Sequence, residues 1–376
     1  MRTKTALILL TAIIVNSFFM ADATALEVSA KSAVLMCADS GQVLYAKNAE
    51  QKLSMASTTK IMTALLAVEK LPLDGVVTVG DEVQNVEGTS LGLLPGDTLT
   101  VFDLISGLML ASGNDAANAV AVAVSGSVDA FVGLMNEKAN RLGMVNTVFA
   151  TPSGLDAEAH YSTAYDMALL TIAALQNDAF SGIVSCSGTT IQISDRTVWL
   201  TNHNRLLKSY DGLVGVKTGF TKKSGRCLVT AAERDGRAIV AVTLSAPDDW
   251  NDHRELLDYG FTVAKQFSAV DTLQCYYADV VGAAVDKVSC SPGDTLSYTA
   301  QTELTEFSYT VCLSPFLYAP VEKGSIVGKL LVYSGDIFVG EVPLCANEYV
   351  ERLQKTPQQS LWKRLLIKWI GWFTDG

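Results

Sequence analysis

The sequence predicts an α+β protein: an antiparallel sheet flanked by helices, followed by a small all-β domain and a C-terminal amphipathic helix. Three observations carry this. Strand-like segments stand at both ends of residues 26–270, with apolar residues at helical spacing between them. Residues 271–350 run in short alternating stretches separated by turn residues. Residues 361–376 place apolar and basic side chains on opposite halves of a helical wheel. A chain of 376 residues, 49% hydrophobic and 18% charged, can bury a full core and exceeds the length of a typical single domain. Its net charge of −11 argues against nucleic acid as a partner.

Residues 1–25 have the parts of a secretory signal peptide in order: Arg2 and Lys4, an apolar run from Ala6 to Met20, then the small residues of "ADATAL". Cleavage is expected after Ala25. The modest length of the run, and Asn16 within it, argue against a retained membrane helix. Residues 28–48 read as a hairpin around the turn "DSGQ". A helical region begins at Ser57 with "TTKIMTALLAVEK", and two more apolar, alanine-rich stretches follow between residues 99 and 145. "YSTAYDMALLTIAAL" predicts another helix, capped by Ser162 or Thr163 with Asp166 in its first turn. From residue 212 the pattern returns to strands: "GLVGVKTG", "RCLVTAAE", the turn "RDGR" and "AIVAVTLS". The domain organisation expected is thus 26–270, the β-rich 271–350, and a linker with its terminal helix over 351–376. Three tryptophans opposite Lys363, Arg364 and Lys368 suit a helix lying in a membrane interface, and the segment is too short and charged to span one.

Little metal or redox chemistry is legible. The histidines His160, His203 and His253 form no ligand pair, so no metal or cofactor is expected. The seven cysteines are odd in number, scattered and without C-x-x-C spacing, which leaves single thiols packed as small apolar groups as the default. "GTSLG", residues 88–92, satisfies the G-x-S-x-G nucleophile-elbow pattern, but polar "DEVQNVE" precedes it and Pro95 and Gly96 follow, so it reads as a loop.

S-x-x-K occurs twice, at Ser57–Lys60 and at Ser360–Lys363, and is weak evidence alone. It gains weight from "SGN", Ser112 to Asn114, between two helical stretches, and "KTG", Lys217 to Gly219, at the end of a strand. Taken singly, Ser57 also fits a helix cap, Ser112 and Asn114 a turn, and Lys217 a solvated strand end. Their order, S-x-x-K, S-x-N, K-T-G, on suitable elements, favours catalysis only through the family resemblance given below. A serine at a helix start lies where free N–H groups favour developing negative charge. A lysine one turn on projects from nearly the same face and can act as a base once burial and a second cation lower its pKa, and Lys217 is the candidate for that cation.

This motif set resembles the penicillin-binding and serine β-lactamase superfamily. "ASTTKIMTALLA", "LMLASGNDAANAVA", "TPSGLDAEAHYSTAYDMA" and "GVKTGFTKKSGRCLVTAAERDGR" resemble its low-molecular-weight D-alanyl-D-alanine carboxypeptidases over residues 27–265, and the β-domain and tail suit that family's layout. The resemblance implies a β-lactamase/transpeptidase-like first domain. It also implies a serine-type carboxypeptidase that removes the terminal D-alanine from peptidoglycan stem peptides and is acylated by β-lactams. By resemblance Ser57 attacks the carbonyl between two D-alanines and Lys60 takes its proton. Ser112 and Lys217 pass a proton to the leaving amine, Asn114 holds the substrate amide, and Thr218 binds the terminal carboxylate. The N–H groups of Ser57 and Phe220 form the oxyanion hole, and Gly219 leaves room for substrate. The expected location is the outer face of the cytoplasmic membrane, held by residues 361–376.

Two departures qualify the resemblance. The middle motif is SGN where class A β-lactamases have SDN, and no E-x-x-L-N segment follows, so the deacylating glutamate of those enzymes has no counterpart and slow release of β-lactams is expected. The arginine that the family shows upstream of K-T-G, where it helps bind the substrate carboxylate, is matched by Arg205, slightly out of register, with His203 nearby. A β-lactamase or DD-endopeptidase on the same scaffold, or a cell-wall-binding protein with a vestigial site, are the other readings.

Overall fold

A computed structural model describes residues 26–270, 273–335 and 337–353. The expected leader, residues 1–25, and the amphipathic segment, 361–376, lie outside the described residues. The chain forms two compact units, one running to Lys265 and including Thr299–Thr302, the other formed by the remainder from Gln266 onward.

The first unit is built on five antiparallel strands: β1 (Ser32–Cys37), β2 (Val43–Lys47), β3 (Leu213–Thr221), β4 (Gly225–Arg234) and β5 (Arg237–Leu244). They lie in the order β2-β1-β5-β4-β3, so the first hairpin of the chain pairs with the last strand of this sheet. This follows from composition. β1, β4 and β5 are apolar runs buried on both faces, which suits central strands. Val34 and Met36 face one core with Val229, Val240 and Val242, while Leu35 and Cys37 face another with Leu228, Ile239, Leu256 and Leu257.

The inserted helices are α1 (Lys60–Lys70), α2 (Val101–Leu110), α3 (Asn114–Ser125), α4 (Val128–Arg141), α5 (Ala164–Leu175) and α6 (Asp178–Ser185), with α7 (Asp249–Val263) following β5. Caps fix several boundaries: the N–H of Asp103 donates to Thr100 Oγ1, that of Ala130 to Ser127 Oγ, and that of Asp166 to Thr163 Oγ1, so Thr163 rather than Ser162 caps α5. The helical region expected from Ser57 begins instead with one 3₁₀ turn, Ala56–Thr59, and α1 proper starts at Lys60. Residues 84–97 form a loop, with Gly88 and Gly92 in the left-handed region, as the elbow argument requires. The hairpin of Gly188–Ile193 with Arg196–Thr201 has no counterpart in the sequence reading; its signal is the β-branched alternation around "SD" at 194–195.

The second unit is all β. Its main sheet contains β6 (Tyr276–Val281), β7 (Lys287–Pro292), β8 (Ser308–Leu313), β9 (Leu317–Tyr318), β10 (Ile326–Ser334) and β11 (Ile337–Ala346), in the order β8-β10-β11-β7-β6-β9. All seven cysteines are free, but only Cys37, Cys227 and Cys290 are buried, so packing as small apolar groups accounts for those three alone.

Candidate active site

Ser57 sits in the 3₁₀ turn that delivers the chain into α1, after Ala56 in a left-handed conformation (φ 48°). The cap position of this turn belongs to Met55, not to Ser57. Instead Ser57 Oγ lies 3.0 Å from Lys60 Nζ. Lys60, fully buried, has two further partners: Asn114 Oδ1 at 2.6 Å and the carbonyl of Ser153 at 2.7 Å. Asn114 Nδ2 donates to the carbonyl of Glu87 at 2.7 Å, which fixes the amide so that its oxygen faces the lysine. Burial holds the Lys60 ammonium well below the usual lysine range, helped by the charge of Lys217 and opposed by that of Asp115. A neutral amine has two N–H donors and one lone pair. Both fixed acceptors are oxygens that cannot donate, so they take the hydrogens and the lone pair is left for the Ser57 hydroxyl.

The SGN turn joins α2 to α3. Ser112 is left-handed (φ 62°) and lines the same cleft as Ser57. Gly113 explains why aspartate is missing from the motif: a Cβ there would stand 2.8 Å from Asp115 Oδ1 and 3.1 Å from Leu91 Cβ. The neighbouring acid has a separate task. The buried Asp115 carboxylate accepts from the N–H groups of Leu91, Gly92 and Leu93 at 2.8, 2.8 and 3.0 Å, and from Ser90 Oγ at 2.6 Å. "GTSLG" is therefore a loop wound on Asp115. With the Asn114 N–H donating to Thr89 O at 2.7 Å, it positions Asn114.

The K-T-G segment lies within β3, an edge strand whose outward backbone groups are open to an added extended chain. Lys217 is thus mid-strand and buried, not a solvated strand end; burial pushes its pKa down to about 7. Its Nζ donates to Thr218 O at 3.1 Å. A Cβ at Gly219 would lie 3.1 Å from Ser57 N, 3.1 Å from Ala56 Cβ and 3.2 Å from Met55 O, crowding the turn that carries Ser57.

A cleft of about 620 Å³ collects these groups. Ser57, Ser112, Thr218, Gly219, Phe220, Arg205 and His203 line it together with Thr89, Thr201, Lys208, Arg226, Asp249 and Trp250. Lys60 and Asn114 stand behind Ser57, and Lys217 is buried in β3. Sequence reasoning missed Arg226, which faces Phe220 across β3 and β4. Its Nε donates to Asp249 Oδ1 at 2.9 Å and its guanidinium carbon lies 5.6 Å from the Trp250 ring centre. Its two terminal nitrogens have no hydrogen-bond partner among the described residues.

The segment 150–160 was also missed as a support. Gly154 (φ 85°) passes so close beneath the turn that a Cβ would meet Ala56 O at 1.9 Å. His160 is a structural pin: the Ala150 N–H donates to Nδ1 at 3.0 Å, so Nε2 carries the proton and donates to Thr59 Oγ1 at 2.8 Å. Burial pushes its pKa down to about 4.

A family model described as D-alanyl-D-alanine carboxypeptidase (peptidase S11) matches residues 19–248. The chain belongs to this family. A second model, penicillin-binding protein 5 C-terminal domain, matches residues 261–352. The chain is 34% identical to the D-alanyl-D-alanine carboxypeptidase DacF of Bacillus subtilis over 86% of each chain, and 34% identical to DacC of Escherichia coli over 92% of this chain and 90% of that one. Among solved structures it is similar to the D-alanyl-D-alanine carboxypeptidase DacD from Francisella tularensis (25% identity, TM-score 0.62, 87% of this chain and 95% of that one). It is similar also to the Streptomyces K15 DD-transpeptidase (34% identity, TM-score 0.61, 63% and 98%). A DD-carboxypeptidase of this family is a serine-type hydrolase of cell-wall peptide, and β-lactams acylate its serine.

Proposed function

We propose that the cleft cleaves the bond between two D-alanines at the end of a peptidoglycan stem peptide through an acyl-enzyme on Ser57. The observation that carries the reading is the Lys60 amine, buried, stripped of its usual basicity and aimed at Ser57 Oγ. Lys60 takes the hydroxyl proton as Oγ bonds to the carbonyl carbon. The N–H groups of Ser57 and Phe220 receive the oxyanion, a role in which one donor is typically worth about 10² to 10³ in rate. The C–N bond then breaks as Ser112, backed by Lys217, hands its proton to the departing amine and takes in exchange the one held by Lys60, which is neutral again. Water attacks the ester carbonyl, Lys60 accepts its proton and passes it to Ser57 Oγ as the ester C–O bond breaks, and the shortened peptide leaves as the free acid. Asn114 holds both Lys60 and the substrate amide.

Thr218 and Arg226 receive the terminal carboxylate. Arg226 suits this better than Arg205, because Asp249 and Trp250 hold it while its forked end stays free. β-Lactams, with a carboxylate in the matching place, acylate Ser57 and leave slowly. In the test, the protein is incubated with a peptide ending in D-Ala-D-Ala and separately with labelled penicillin. Released D-alanine and a persistent adduct on Ser57 support the reading; rapid penicillin turnover would favour a β-lactamase, and neither reaction would overturn both. The likeness to a transpeptidase calls for a third arm with an added amine acceptor, where peptide–acceptor product in place of free acid would mark transfer as the main reaction.

We also infer that residues 1–25 direct export and that residues 361–376 lie in the outer interface of the cytoplasmic membrane. Tryptophans and leucines opposite a basic face support this. Deleting 361–376 should release the processed protein from membranes, and continued binding would overturn the anchor.

A further inference from the structure

The second unit carries an exposed apolar cluster at one end of its main sheet. Tyr318 is 74% exposed, Leu353 55%, Phe316 49% and Val281 41%. Backbone pairing brings them together. Val281 of β6 lies opposite Tyr318 of β9, and the Phe316 and Tyr318 rings meet edge to face at 5.3 Å. The Leu353 N–H donates to Gly282 O at 2.8 Å, and Arg352 bridges to Ala283. Apolar side chains exposed singly need no explanation, but a cluster containing an edge-to-face aromatic pair does.

Two observations indicate what covers it. The first is where the chain goes: the described residues end at Leu353, within the cluster, and residues 354–360 separate it from the amphipathic segment. Seven residues reach about 25 Å at full extension, so a membrane that holds the start of that segment also comes within reach of the cluster. The second is area. Four side chains supply far less than the roughly 800 Å² per partner of a stable protein interface. They do suit insertion into a headgroup layer, where tyrosine and phenylalanine rings are favoured and no deep partner is needed.

We propose that the Val281–Phe316–Tyr318–Leu353 edge is a lipid-contacting surface that enters the membrane interface beside the tail. The proposal rests on the membrane attachment of residues 361–376 inferred above. The tail and this edge then make two attachments joined by a short linker, and the second adds to the first by raised local concentration.

The test is hydroxyl-radical footprinting of the full processed chain, with and without vesicles of phosphatidylethanolamine and phosphatidylglycerol, read by mass spectrometry. Oxidation of Phe316, Tyr318 and Leu353 should fall several-fold on vesicles, against the exposed Trp199 and Phe220 as unchanged references. The Phe316→Ser/Tyr318→Ser variant should partition onto the vesicles about tenfold less while retaining its thermal melt and its acylation by labelled penicillin. Undiminished oxidation on vesicles that do bind the protein would overturn the lipid-contacting edge and leave the tail anchor standing. No vesicle binding would overturn both. Protection already present without vesicles would assign the edge to the tail or to a second copy, and would equally overturn the proposal.

Discussion

Asn114 Oδ1 lies 2.6 Å from Lys60 Nζ, closer than the Ser57 hydroxyl at 3.0 Å. The amide is thus a direct partner of the Lys60 amine as well as a candidate contact for substrate. Asn114→Asp keeps the shape but sets an anion against the amine, which raises the Lys60 pKa, and it removes the donor to Glu87 O. Acylation by penicillin should drop by about 10² or more near neutral pH, and its acidic limb should move to higher pH. A stopped-flow profile of acylation against pH checks both; an unmoved limb would remove Asn114 from control of the base.

Lys217 acts on Lys60 with the opposite sign. A neighbouring cation disfavours a second positive charge, so Lys217→Gln should let the Lys60 pKa rise and shift the acidic limb upward. Asp115→Asn should shift it downward, because the lost anion had favoured protonated Lys60. That variant should also lose about 3 kcal/mol of stability as the 90–93 loop loses a charged acceptor. Urea titrations alongside the rate profiles would show the two effects together.

Arg226→Ala should raise KM for a D-Ala-D-Ala peptide about tenfold to a hundredfold, the usual range for a lost hydrogen bond to a charged group. A peptide amidated at its C-terminus should be a poor substrate for both forms and discriminate little between them. If Arg205→Ala shows the larger loss instead, the carboxylate belongs to the 3₁₀ turn Arg205–Lys208.

Gly154→Ala places a methyl group 1.9 Å from Ala56 O, in a backbone conformation (φ 85°) that alanine disfavours. The expected loss exceeds about 3 kcal/mol, with penicillin acylation falling in parallel as the Ser57 turn is displaced. Thermal melts and adduct formation measure the two. Unchanged acylation in a folded variant would show that the 150–160 segment does not set the nucleophile.

His253 is wholly buried between Thr230 Oγ1, 2.7 Å from Nδ1, and Thr243 Oγ1, 2.9 Å from Nε2; burial pushes its pKa down to about 3. In the unfolded chain a histidine binds its proton near pH 6.5, so between these values the unfolded state holds more protons and stability falls as pH falls. His253 and His160 should each contribute up to about 1.4 kcal/mol per pH unit across that window. Urea midpoints taken from about pH 7 to about pH 4 should decline in the parent chain and decline less in His253→Gln.

The class of fold and the order of its parts are legible in the residues alone. Short continuous apolar runs in "SAVLMC" and "AIVAVTL" and helical spacing in "KIMTALLAVEK" are local patterns set by which side chains leave water, and the three motifs each name a residue type whose chemistry is specific. Ser57 and Lys60 are one turn apart in the chain, so their contact was legible too. What surrounds them is a matter of packing. Ser153, Gly154 and His160 reach the nucleophile from about a hundred residues away, and "GTSLG" becomes a loop wound on Asp115. The absence of a side chain at Gly113 and Gly219 answers to atoms that no spacing predicts. Arg226 looks like an ordinary strand residue until Asp249 and Trp250 turn it toward the cleft. The physical reason is common to all of these. Burial and close approach between distant segments set the basicity of Lys60 and Lys217, and those quantities belong to packing, which the order of residues implies but does not display.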